Sequence, residues 1–173
     1  MLGEAVESFE LVPRDALELV LKHVPGTRAP LAGRHPWQVL IEAAGESDLV
    51  GALAAAREAG LVADAAIAAS DAQAEALWRL RDAISEAERK DGPAAKHDVS
   101  VPVADMPRFV VEAARAVEAR FAGTRVNAFG HLGDGNIHFN VRAPEGAGAE
   151  WLEREGETVT AFVHDLVAAA DGS

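Results

Sequence analysis

The segment Asn127-Ala-Phe-Gly-His131-Leu-Gly-Asp-Gly-Asn136-Ile-His138-Phe-Asn140-Val constrains this chain more than any other stretch. Apolar, strand-like residues stand on both sides of a Gly-Asp-Gly-Asn turn, the pattern of a β-hairpin. A two-residue turn at Asp134-Gly135 and a four-residue loop over Gly133 to Asn136 predict the same pairing. Leu132 then faces Ile137, His131 faces His138, and Phe129 faces Asn140. Side chains alternate across a strand, so Phe129, His131, His138 and Asn140 share one face with Asn127. Val126, Ala128, Ile137, Phe139 and Val141 take the other. Opposed Cβ atoms lie about 4.5–5.5 Å apart, so two imidazoles can converge on one cation. A face this polar is wrong for a simple core; it needs a ligand, water or a partner domain.

A chain of 173 residues predicts a single domain over 1–173, one that buries roughly 70% of its unfolded surface. Hydrophobic residues make up 49% of it, which argues against disorder, and cysteine is absent, which excludes disulfides and thiolate ligands. A formal charge of −12 argues against nucleic acid or an anionic membrane as partner, because both demand a cationic face. Such a chain admits an anionic small molecule only where local Arg or Lys overrides that field. With no basic leader before an apolar run and no stretch of membrane-spanning length, a cytoplasmic protein is expected.

The expected elements alternate. Val6 to Val12 predicts a strand, and Pro13 starts a helix carrying Leu17, Val20, Leu21 and Val24. Trp37 to Ala44 predicts a second strand, Glu46 to Ala59 a helix closed by Gly60, and Leu61 to Ala68 a third strand. Ser70-Asp-Ala-Gln73 has capping-box spacing and opens a long helix through about Lys90, with Leu77, Leu80, Ile84 and Ala87 as its buried stripe. Asp98 to Val101 is extended, and helices follow over about Met106 to Phe121 and Ala149 to Ala169. These elements predict an α+β fold, a mostly antiparallel sheet covered by helices on one face.

Arg81 and Ser85 stand four apart on the long helix, where a guanidinium and a hydroxyl one turn on can share a carboxylate. Lys96 and His97 fall in the loop that follows, His97 as a simple loop histidine. There is no G-x-G-x-x-G or G-x-x-x-x-G-K-[ST], and no Ser-His-Asp set can be assembled.

Three stretches resemble one family, the flavin-linked D-2-hydroxyacid dehydrogenases and oxidases, which include D-2-hydroxyglutarate dehydrogenases, D-lactate dehydrogenases and glycolate oxidase subunits. Gly130-His-Leu-Gly-Asp-Gly-Asn-Ile-His138-Phe-Asn140 resembles the family's G-H-x-G-D-G-N-x-H-x-N metal segment. Leu77-Trp-Arg-Leu-Arg81-Asp-Ala-Ile-Ser85 and Lys96-His-Asp-Val-Ser-Val-Pro102 are similar to two further family stretches. The resemblance implies a ferredoxin-like C-terminal substrate-binding (cap) domain, truncated, with the FAD-binding domain and a final S-A-E-H-G segment lying outside it. It implies that His131 and His138 bind Zn²⁺ or another divalent metal, and that Asn140 touches the substrate. Arg81, Ser85 and Lys96 would bind the distal carboxylate of a 2-hydroxyglutarate-like acid, with Ser85 in place of a frequent Thr and His97 in place of a frequent aromatic. No catalytic base is assigned within the chain, and the domain alone is expected to be inactive. Electron-transfer flavoprotein or quinone is the implied electron acceptor. D-lactate or glycolate oxidation, or a non-catalytic ferredoxin-like binding or dimerisation module, remain as alternatives.

Overall fold

The structure, a computed structural model, describes residues 3–45 and 48–173. After a short 3-10 turn at Gly3–Ala5, the chain runs β1 (Val6–Pro13), α1 (Arg14–His23), β2 (Trp37–Ala43) and α2 (Leu49–Glu58). It continues through α3 (Asp71–Asp82), α4 (Ile84–Asp91), β3 (Ala94–Ala95), β4 (Asp98–Ser100) and α5 (Met106–Arg120). The hairpin β5 (Arg125–His131) and β6 (Asn136–Arg142) precedes the closing helix α6 (Glu150–Ala169). All strand pairings are antiparallel, in the order β2-β1-β5-β6-β3, with β4 also on β6. The expected antiparallel α+β architecture is the one observed.

The helix cover differs from expectation, because it lies on both faces. On one side Phe109, Val110, Ala113 and Val117 of α5, with Trp151, Val159, Val163 and Val167 of α6, bury against Ala128, Ile137, Phe139 and Val141. Those helix positions recur at three- and four-residue intervals, one stripe per helix. On the other side α1 and α4 close over Phe129, through Ala16, Leu17, Val20, Ile84 and Ala87. The second face is therefore partly covered by the protein's own helices. Beyond the α5/α6 cover, Phe9, Trp37 and Val39 of β1 and β2 stay exposed.

Two further expectations are corrected. Leu61 to Ala68 forms no strand: Leu61 is 81% exposed, and this alanine-rich stretch has little side chain to bury on a sheet. The long helix after Ser70 comes in two pieces, divided at Ala83, where φ −77° and ψ −5° depart from regular helical geometry without any Gly or Pro to announce it. Ser70 does cap α3, accepting from the Gln73 amide, while the Gln73 side chain takes the Ala69 amide. For α2, Asp48 is the cap, and the expected start at Glu46 lies outside the described residues.

The hairpin register is also shifted by two. His131 opposes Asn136, Gly130 opposes Ile137, Phe129 opposes His138 and Asn127 opposes Asn140. The loop is thus Leu132 to Gly135, closed by Gly135 N–H donating to the His131 carbonyl at 3.2 Å. Gly135 adopts φ +83°, and any Cβ there would strike the Val101 carbonyl, so this turn demands glycine. A slip of two leaves every side chain on its expected face, since only odd slips invert a strand.

Candidate active site

The polar face of β5 and β6 carries Asn127, Phe129, His131, His138 and Asn140, and β1 adds Glu10, which stands directly opposite His131. Glu10 is 3% exposed, an unusual place for a carboxylate between Phe9 and Leu11. Both of its oxygens are engaged. His131 Nδ1 meets Oε1 at 2.6 Å, and Arg81 Nε of α3 donates to Oε2 at 2.8 Å. The guanidinium also lies 5.7 Å over the Phe129 ring, which in turn meets His138 at 5.0 Å between centroids, the two rings tilted by 44°. The two imidazoles are diagonal neighbours on this face, not the directly opposed pair expected, with ring centroids 6.4 Å apart and planes inclined at 67°.

About two turns beyond Arg81, across the helix break, Glu88 of α4 forms a second buried centre. It is fully enclosed and accepts from Asn127 Nδ2 at 2.9 Å and Asn140 Nδ2 at 2.7 Å, with Lys96 Nζ at 3.6 Å. Each buried carboxylate is thus matched by one obligate cation, the condition under which burying it is tolerable. Asp91, at the end of α4, takes the same role toward Arg142 of β6, Lys22 and His23. Burial alone would raise the Asp91 carboxyl, but the hydrogen bonds from Lys22 and His23 and the Arg142 charge outweigh it and lower it to about 2.

The six sequence-predicted site residues divide between these centres. Arg81 and His131 share Glu10, with His138 beside them. Lys96 and Asn140 share Glu88, and Asn140 is held in the interior by that bond at 4% exposure. Ser85 stands half-buried on α4, between Arg81 and Glu88 in sequence and past the break at Ala83. Burial lowers His138 below the ordinary imidazole range, helped by Arg81 and His131 and opposed by Asp98 and Glu10. Asp98 is 3.7 Å from His138 Nδ1, too long for a hydrogen bond, and is occupied instead by Asn136 Nδ2 at 2.9 Å.

His97 is not the simple loop histidine expected. It points to the opposite face, where Nδ1–H donates to the Phe139 carbonyl at 2.7 Å and Nε2 lies 3.1 Å from the Thr160 hydroxyl of α6. Burial lowers its pKa, in keeping with a neutral ring that accepts from Thr160. Glu10 and Glu88 are the members of the site that sequence reasoning missed; Asn127 was placed on the polar face without a role. The available signals were a lone Glu inside the apolar run of β1 and a Glu seven residues after Arg81, on the same helical line.

As a cation site the face is half built. Two imidazoles suit a borderline divalent ion, yet no group of three His, Asp or Glu side chains converges among the described residues. His131 Nδ1 is taken by Glu10, so Nε2 is the nitrogen left for a ligand. Two clefts of about 620 and 580 Å³ lie elsewhere, one beside Trp78 and Arg79 and one between α1 and the loop at Pro144. Neither includes the histidines.

The class of this antiparallel domain, which carries a histidine hairpin and Arg81 on one face, comes from comparison. The whole chain, residues 1–173, matches the family described as FAD linked oxidases, C-terminal domain. The chain belongs to that family. It is 39% identical to the D-2-hydroxyglutarate dehydrogenase of Xanthomonas citri pv. viticola over 97% of this chain and 36% of that protein. It is 36% identical to the mitochondrial D-2-hydroxyglutarate dehydrogenase of Arabidopsis thaliana, over 83% of this chain and 26% of that protein. For the mitochondrial protein of that name from Rattus norvegicus the identity is 34%, over 82% and 27%. The chain therefore spans about a third or less of the curated relatives it matches.

Proposed function

We propose that this domain provides the substrate site of a flavin-dependent dehydrogenase that oxidises D-2-hydroxyglutarate, or a similar 2-hydroxy acid, to the 2-oxo acid. The observation that carries this reading is the convergence of His131 and His138 beside an Arg81 held in place by a buried carboxylate. The names of the relatives supply the substrate class.

In this reading His131 Nε2 and His138 hold a divalent cation, Zn²⁺ before others, with further ligands from outside the described residues. The cation would supply Lewis acidity at the substrate's 2-hydroxyl, and FAD, bound mainly by another domain, the acceptor for the C2 hydride. Charge balance favours such a cation. Arg81 and Lys96 are already matched by Glu10 and Glu88, so the positive charge that a dicarboxylate needs must come from elsewhere. Arg81 offers its terminal guanidinium nitrogens to the distal carboxylate, and Ser85 and Lys96 hold it from the next turn and the following loop. Asn140, anchored through Nδ2, keeps its carbonyl oxygen as an acceptor for a substrate hydroxyl. Electron-transfer flavoprotein or quinone would take the electrons onward.

Substrate profiling of the intact flavoprotein tests this reading across D-lactate, glycolate, D-malate and D-2-hydroxyglutarate. The five-carbon diacid should have the highest kcat/KM, and Arg81→Ala should raise its KM far more than that of D-lactate. Preference for D-lactate or glycolate, unchanged by Arg81→Ala, would remove the diacid assignment.

A further inference from the structure

We propose that Glu10 is the positioning residue of this site: one buried carboxylate sets His131 as a nitrogen ligand and holds Arg81 as an anion-binding fork, coupling the two subsites. This rests on the reading of His131 and His138 as cation ligands.

A tether between β1 and α3 needs only the bond from Arg81 Nε to Oε2. The second oxygen is spent on His131, from the position directly across the strand pair. An ionised carboxylate only accepts, so in the neutral ring Nδ1 carries the proton and Nε2 keeps its lone pair. The free nitrogen is then the one that does not meet Glu10, on a ring that is 44% exposed. A carboxylate behind a ligating imidazole also raises its basicity and fixes its orientation.

The same group spends only Nε of Arg81. Nη2 is buried and has no hydrogen-bond partner in the structure among the described residues, a donor still awaiting its acceptor. With Phe129 beneath the guanidinium, the fork has little freedom to swing. Moving Glu10 would therefore disturb both subsites together.

The test measures Zn²⁺ affinity by chelator competition in the intact protein, for wild type, Glu10→Gln, His131→Ala and His138→Ala, with KM for D-2-hydroxyglutarate alongside. Glu10→Gln should weaken Zn²⁺ binding about 10–100-fold and raise that KM, while both histidine variants weaken Zn²⁺ at least as much. If the histidine variants bind Zn²⁺ like wild type, the cation reading itself fails. If they lose Zn²⁺ while Glu10→Gln retains it fully, the positioning role alone is overturned. Should Glu10→Gln fail to fold, the His131 tautomer in the wild-type protein decides by ¹⁵N NMR. A neutral ring with Nδ1–H and bare Nε2 supports the role; Nε2–H overturns it.

Discussion

The two faces of the β5–β6 hairpin are built from alternate residues of the same strands, yet they are stabilised by different physics. Toward α5 and α6, Ala128, Ile137, Phe139 and Val141 meet other apolar side chains, and the face is complete without any charge. Toward α3 and α4, Glu10 and Glu88 are enclosed and balanced by Arg81 and Lys96, and Asp91 closes on Arg142. Replacing such pairs by apolar groups is often neutral or stabilising, so packing alone does not account for the polar face. The contrast separates the part of the fold that supports from the part proposed to bind.

Four measurements can break or sharpen that contrast. Phe139→Ala, in the middle of the apolar face, should cost about 3–5 kcal/mol in denaturant unfolding without altering which ligand binds. Glu88→Ala should cost about 2–3 kcal/mol, because two buried amides and Lys96 lose their acceptor; Glu88→Gln, which keeps one acceptor, should cost less. An equal cost for the two variants would mean that the carboxylate charge matters and the hydrogen bonds do not. Asp91→Asn should cost about 1–2 kcal/mol at neutral pH. The Asp91 carboxyl is lowered from 3.8 to about 2, so its contribution is complete above pH 4 and declines as pH falls through 2. A penalty that persists unchanged at the acid end of that window would rule out the ion pairs as its source. His138→Ala should shift stability by about 1 kcal/mol or less, seen as a small change in Tm, while abolishing tight Zn²⁺ binding. A large loss of stability would place His138 with the supporting face instead.

Much of the scaffold was legible because periodicity survives local error. The hairpin pairing was misplaced by two residues, yet His131 and His138 still fell on one face, since the pleat repeats every two. The positions of α1, α5 and α6 followed from their apolar stripes, with Pro residues marking the starts of α1 and α5. Leu61 to Ala68 misled because its alternation is carried mostly by alanine, which gains little from a sheet. The break at Ala83 was invisible, as no residue there is a poor helix former. Of the site, the cations and histidines could be found, but not their buried partners. Glu10 and Glu88 look like any solvated acid until the tertiary fold places them against Arg81, His131 and the two asparagines.

Gly130 separates Phe129 from His131 at φ +155°, and a Cβ on it would come within 2.5 Å of the Asn136 carbonyl oxygen and 3.1 Å of Ile137 Cα. Main chain thus touches main chain at the mouth of the histidine pair, leaving no room for even a methyl group. The gap between the two rings is consequently a dimension of the ribbon itself, closed to adjustment through that residue. Any adjustment of this face falls to other residues of the proposed site, such as Lys96, which extends from the turn between β3 and β4.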